Sequence, residues 1–169
     1  GENKTEFPES EPADAAIARL AEGRARLESL AGARSIAVLA PPWNRLPAAL
    51  VARLTAAGLR GLSTYGARAV AAPAPGILQI NTHVDIIAWR SGRGFLGEED
   101  ALGLAVRHLA ARRAGAVESA EPTGWLTHHA CHDEAAWSFL ARLFDVTRRA
   151  SGVVWRRADS LFGDDRPRR

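Results

Sequence analysis

The chain has 169 residues and a mass of 18.1 kDa, with 47% hydrophobic and 24% charged residues. These values are typical of one globular domain that buries an apolar core, and they exclude a wholly disordered chain. Cys131 is the single cysteine, which excludes an intrachain disulfide and a multi-cysteine zinc site. The net charge of +3 comes from arginines expected at helix ends and in the tail, so we expect no nucleic-acid partner.

The ends of the chain carry their own information. The chain contains no methionine and begins at Gly1, which predicts that it is the C-terminal portion of a longer protein. No signal segment and no apolar run of roughly 18 residues is present, which favours a cytoplasmic location and predicts no membrane span. Residues 1–10 and 163–169 are expected to be frayed ends of a single domain, 1–169.

Taken in chain order, helical and strand patterns alternate. Apolar spacing with start and stop residues predicts helices between Pro12 and Gly32, from Pro47 to Gly58, over Glu98–Ala114 and after the N-cap Asp133. Short apolar runs predict strands near 35–39, 60–64, 77–81, 124–128 and 153–155. This alternation predicts an α/β fold with mostly parallel strands. About five strands are too few for a closed eight-stranded barrel, so we expect a partial or irregular (β/α) barrel, and an open sheet fits equally well.

Polar and aromatic residues collect where three of the predicted strands end, which is where active sites of parallel α/β folds lie. The first group is Pro41-Pro42-Trp43-Asn44-Arg45, the second is Asn81-Thr82-His83-Val84-Asp85 with Trp89, and the third is Thr127-His128-His129 with Cys131, His132 and Asp133. Four of the five histidines belong to these groups. The clustering predicts a functional site at this edge of the sheet.

Structural interpretations compete with functional ones at each position. Trp43 and Trp89 also fit core aromatics, and Asp85 fits a turn. The spacing of His128 and His132 also fits a metal cluster, but a strand that ends before the helix does not give it helical geometry. Cys131 lacks an arrangement that would activate a nucleophile. His108, within a helix, is expected at the surface.

The three groups together resemble the later motifs of the polysaccharide deacetylase superfamily, the NodB-homology domain of carbohydrate esterases. The matching segments, in order, are Ala40-Pro41-Pro42-Trp43, Asp85-Ile86-Ile87-Ala88-Trp89 and Leu126-Thr127-His128. The wider segments Pro-Pro-Trp-Asn-Arg, Asn-Thr-His-Val-Asp and Leu-Thr-His-His are most similar to a bacterial subgroup of deacetylase-like proteins. The resemblance runs from about residue 15 to residue 162 and covers the later part of the family's domain.

The resemblance implies a metal-dependent hydrolase that removes acetyl groups from the N-acetylated amino sugars of a glycan. In the family, a first motif supplies a base aspartate and a metal-binding aspartate, and a second supplies two histidine ligands. We expect both motifs upstream of Gly1. A divalent metal, zinc or similar, is therefore expected in the intact domain, and none is expected to be bound by this chain alone.

The resemblance also implies roles for individual residues. His128 matches the general acid that protonates the leaving amine, and Asp85 matches its carboxylate partner, with an expected contact of about 2.7–2.9 Å. Trp43, Trp89, Arg45 and Leu126 would contact the substrate. The implied partner is an acetylated glycan, and a homo-oligomer is left open.

Three positions depart from the family pattern. Ala40 stands where many members have arginine, Ala88 where many have a second aspartate, and His129 where aspartate is common. Arg45 is a candidate to replace the missing arginine. These departures keep a second interpretation open: a non-catalytic carbohydrate-binding or scaffold relative, or an inactive fragment.

Overall fold

The computed structural model describes residues 4–163. The chain divides into two compact units. The first consists of Gly1–Thr64, Arg68–Asn81 and Arg157–Arg169, and the second of Tyr65–Ala67 and Thr82–Arg156. All of the motif residues after residue 81 therefore belong to the second unit.

Helices and very short strands alternate along the chain. The helices are α1 (Ala13–Ala31), α2 (Ala48–Val51), α3 (Glu98–Arg113), α4 (Glu134–Thr147) and α5 (Ala158–Leu161). The strands are β1 (Val38–Leu39), β2 (Gly61–Leu62), β3 (Leu78–Gln79), β4 (Val84–Asp85) and β5 (Trp125–Leu126). Single turns of 3₁₀ helix cover Gly32–Arg34, Pro42–Asn44, Leu54–Ala57 and His129–Cys131.

The first unit packs α1 and the turn at Leu54–Ala57 near a parallel sheet of order β1-β2-β3. Leu54 is completely buried in its core, and Phe7 joins this core with 4% of its surface exposed. Gly32 ends α1 with a φ of 55°, a conformation that glycine adopts without strain. Phe7 lies within the segment 1–10 expected to fray; residues 1–3 and 164–169 lie outside the described part of the chain.

The second unit is built on the parallel pair β4 and β5, in which Val84 is opposite Trp125 and Asp85 is opposite Leu126. Its core contains residues from the strands and from the inner faces of α3 and α4: Val84, Ile86, Ile87, Ala101, Ala105, Ala136, Phe139, Leu140 and Leu143. Burial of this apolar surface stabilises the pairing of two strands that are too short to be stable alone. The pairing brings the chain after Asp85 close to the chain after Leu126.

The mixture of helices and parallel strands confirms the α/β class. Within residues 4–163 the strands form two sheets, of three and two strands, so the barrel stays a prediction. Helices α1, α3 and α4 lie where their patterns predict them. The strand predicted at 153–155 is wrong: these residues form no strand, and the Trp155 ring packs instead against Phe144 of α4 at 4.3 Å between ring centroids. Within residues 4–163, no helix combines the length and apolar character needed to cross a bilayer.

Asp133 caps α4, as its position in the sequence predicts. Its Oδ1 accepts a hydrogen bond from the Ala136 N–H at 2.8 Å, and its Oδ2 accepts one from the Phe95 N–H at 3.0 Å. The cap thus also ties the loop before α3 to the start of α4. The two N–H donors, Phe95 first and Ala136 second, lower the pKa of the Asp133 carboxyl.

We expect Asp133→Ala to lower the unfolding temperature, because it leaves both N–H groups without this acceptor. The depressed pKa means that the folded state favours the carboxylate. The stabilisation is therefore present above about pH 4 and is lost as the pH falls and the carboxyl takes its proton. Thermal melts of the parent and variant at pH 7 and pH 3 measure the effect, and equal differences at the two pH values would contradict it.

Candidate functional site

The candidate site, here called the Asp85 site, consists of Asp85, Trp89 and His128. Asp85 is the last residue of β4 and lies opposite Leu126, the last residue of β5. His128 follows two residues after Leu126 and is the residue just before the turn His129–Cys131. Because both strands run in the same direction, their carboxyl ends bring these side chains together.

The Asp85 carboxylate is held by donors from its own segment. Oδ1 accepts from the Ile87 N–H at 3.0 Å, which is the Asx turn that the structural interpretation of Asp85 predicts. Oδ2 accepts from the Trp89 indole Nε1–H at 2.7 Å. Trp89, four residues after Asp85, therefore holds the carboxylate by a hydrogen bond, in addition to the contact with substrate that the resemblance implies.

His128 faces the same carboxylate at a longer distance than expected. Its Nε2 lies 3.5 Å from Asp85 Oδ1, so the expected hydrogen bond of 2.7–2.9 Å is not formed. Within residues 4–163 this nitrogen is buried and makes no hydrogen bond. The imidazole instead makes an edge-to-face contact with the Trp89 ring, with 4.8 Å between centroids. The ring is therefore positioned beside a carboxylate whose two oxygens already accept other hydrogen bonds.

The backbone of His128 is fixed by His132. The His128 N–H donates to His132 Nε2 at 3.0 Å. Burial, followed by the nearby His128 and His129, lowers the pKa of His132, so its ring is neutral at pH 7 and Nε2 can accept this bond. The spacing of His128 and His132 is thus used for a structural contact.

Tyr65 is a further group near Asp85. Burial raises the pKa of its phenol, and the Asp85 charge raises it further, which favours the neutral hydroxyl. The residue forms an isolated parallel bridge with Thr82, a member of the second motif group. No motif marks Tyr65, so sequence reasoning missed it.

The remaining sequence-predicted substrate residues are Trp43, Arg45 and Leu126. Leu126 is in β5 of the second unit, beside Asp85 in register. Trp43 belongs to the first unit, is 56% exposed and has a φ of 54°, and Asn44 follows with a φ of 56°. Two successive non-glycine residues in the left-handed region are strained, which is frequent at binding sites. Arg45 donates to the Lys4 carbonyl at 2.9 Å, and its role and that of Trp43 beside Asp85 stay predictions.

Metal-ligand geometry occurs elsewhere in the second unit. Among residues 4–163, the stretch His128–Asp133 forms no group of three ligands close enough for one ion. His83, His108 and Glu121 form such a group, with one ligand atom of each within 4.8 Å of the others, so they could hold a metal ion. Sequence reasoning missed this group because its members come from the residue before β4, a helix and a loop.

Comparison of the chain with protein-family models, with curated proteins and with solved structures finds no match. The resemblance to polysaccharide deacetylases therefore depends on the three motifs and on the chemistry of the residues they contain.

Proposed function

We propose that this chain supplies the general-acid side of a metal-dependent hydrolase that removes acetyl groups from the N-acetylated amino sugars of a polysaccharide or glycan. The observation that carries the proposal is the placement of Asp85 and His128 at the ends of paired parallel strands, 3.5 Å apart. Both side chains are partly exposed, at 19% for Asp85 and 29% for His128, and the Nε2 atom of His128 is itself buried.

Amide hydrolysis needs a proton donor for the departing amine, because a free amide anion is a poor leaving group. Histidine suits this task, because an imidazole can hold and donate a proton near neutral pH. Ile87 and Trp89 hold Asp85 in place, so the carboxylate does not have to reorganise when His128 gains or loses charge. Trp89 also presents an exposed aromatic surface to a sugar ring.

The residues of the Asp85 site do not fit the family's metal. Both carboxylate oxygens of Asp85 accept N–H donors, and His132 Nε2 accepts the His128 N–H. A metal in this enzyme class polarises the amide carbonyl and the attacking water. The ligands of this metal are assigned to the family's first two motifs. The roles proposed for Asp85 and His128 do not require either residue to bind the metal.

Acetate release tests the function. The full-length protein, supplied with zinc and an oligomer of N-acetylglucosamine, is expected to release acetate and leave free amines. The same assay without the protein, and with a fully deacetylated oligomer, gives the background. Binding of the acetylated oligomer without any acetate release would contradict the enzyme and favour the carbohydrate-binding interpretation.

A further inference from the structure

A second polar cluster lies at the opposite ends of β4 and β5 from the Asp85 site. His83 directly precedes β4, His108 is in α3, and Glu121 lies in the loop before β5. One ligand atom of each lies within 4.8 Å of the others. Two imidazoles and one carboxylate are a ligand set that zinc uses in proteins.

The cluster is buried, so a charge on any of its side chains is costly without a partner of opposite charge. Glu121 is 1% exposed and His83 is 6% exposed. Glu121 Oε2 lies 3.2 Å from His83 Nε2, and the two imidazole rings stack at 3.6 Å between centroids. A buried carboxylate is unfavourable unless it is paired, and a divalent cation bound among these three residues would pair with the charge of Glu121.

His108 has a nitrogen suited to a ligand. Its Nδ1 lies 3.0 Å from Thr123 Oγ1, and Arg112 Nη1 donates to the same oxygen. Its Nε2 is buried and makes no hydrogen bond within the described residues. Burial, then the charges of His83 and Arg112, lowers the pKa of His108 against the opposing effect of Glu121, which keeps the ring neutral and able to bind metal.

We propose that His83, His108 and Glu121 form a divalent-metal site of the zinc type that stabilises the second unit. The site joins the start of β4, helix α3 and the loop before β5, which are far apart in sequence. In parallel α/β folds, the amino ends of the strands contribute to stability and the carboxyl ends to catalysis. The site is buried and lies at the opposite strand ends from the Asp85 site, so the metal is independent of the proposed deacetylation. It replaces the expectation that this chain binds no metal.

Binding requires a local rearrangement. His83 Nδ1 accepts a hydrogen bond from the Gly124 N–H at 3.0 Å, so the proton of the neutral ring lies on Nε2, which faces Glu121. Ligation through Nε2 moves this proton, breaks the Gly124 contact and spreads the two stacked rings. These changes oppose binding, and we expect a zinc Kd of about 1–10 μM and not the much tighter binding of preformed sites.

The test uses the purified chain after treatment with a chelator and dialysis. Isothermal titration with zinc chloride at pH 7.5 is expected to give one zinc per chain. In separate experiments, zinc should raise the unfolding temperature in a thermal melt and shift the Gly124 amide resonance in the NMR spectrum. At pH 5.5 the binding should be lost, because protons compete for the imidazoles. His108→Gln should weaken binding by more than about 100-fold, since loss of an outer partner alone weakens it 10–100-fold.

Three further variants make the result specific. Thr123→Val preserves side-chain shape and is expected to weaken binding about 10–100-fold. His129→Gln and Cys131→Ser change exposed groups and should leave binding unchanged. Absence of stoichiometric binding, equal binding by His108→Gln, or loss of binding in Cys131→Ser would each overturn the site. None of these outcomes depends on acetate release, so this proposal and the proposed function fail separately.

Discussion

His128→Ala is expected to lower deacetylase turnover in the full-length protein by roughly 10²–10⁴-fold, the usual contribution of one acid–base group. The variant removes the imidazole that lies 3.5 Å from Asp85 and makes an edge-to-face contact with Trp89. The amine would then leave without a positioned proton donor. Initial rates of acetate release over a range of pH measure the loss, and the acid–base limb assigned to His128 should disappear from the profile.

Asp85→Asn should reduce turnover less than His128→Ala does. The amide keeps much of the shape but removes the negative charge beside the imidazole. Initial rates of acetate release by the two variants measure this difference. The matched control is His129→Gln, which changes the exposed neighbour of His128 and should keep nearly full activity.

Unchanged turnover in His128→Ala would contradict the proposed general acid. The Asp85–His128 placement would then be structural, consistent with the turn that Asp85 makes with Ile87. Binding of acetylated oligosaccharide by the same variant would favour the non-catalytic interpretation.

Local patterns predicted much of this architecture. The acidic start and basic end of α3, the glycine after α1 and the cap Asp133 are signals between residues close in sequence, and the structure contains each of them. The pairing of Asp85 and His128 could be expected because parallel strands place their carboxyl ends at one edge. The motifs did not give the distance between the two side chains: the Asp85 oxygen nearest His128, Oδ1, already accepts the Ile87 N–H, and Oδ2 accepts the Trp89 indole N–H.

Features that depend on distant segments were not predictable in this way. The His83–His108–Glu121 cluster has no spacing rule, because three separate elements supply one residue each. The apolar run at Val153–Trp155 has a strand-like composition, but Trp155 packs on Phe144 and donates its indole N–H to Thr147 Oγ1 at 2.9 Å. Trp155 therefore packs against α4, and the run does not extend a sheet.

Phe139→Ala should be the most destabilising substitution in the second unit, at about 3–5 kcal/mol, because it leaves a large cavity in a packed core. Phe139 is 4% exposed in α4, and its ring lies 5.0 Å from the Phe95 ring and 5.9 Å from the Trp125 ring. These contacts hold α4 against the loop before α3 and against β5. Denaturant unfolding measures the change in the free energy of unfolding, and hydrogen exchange of the β4 and β5 amides shows whether these strands lose protection.

The same helix provides the control for this substitution. Phe144 is 46% exposed and contacts Trp155, so Phe144→Ala removes less buried surface and should reduce stability by about 1 kcal/mol or less. The two variants remove identical atoms from one helix, and only the burial differs. Equal losses of protection at Val84 and Ile86 in both variants would show that Phe139 is not central to this core. A much larger loss in Phe139→Ala would establish that β4 and β5, which position Asp85 and His128, depend on α4 for their stability.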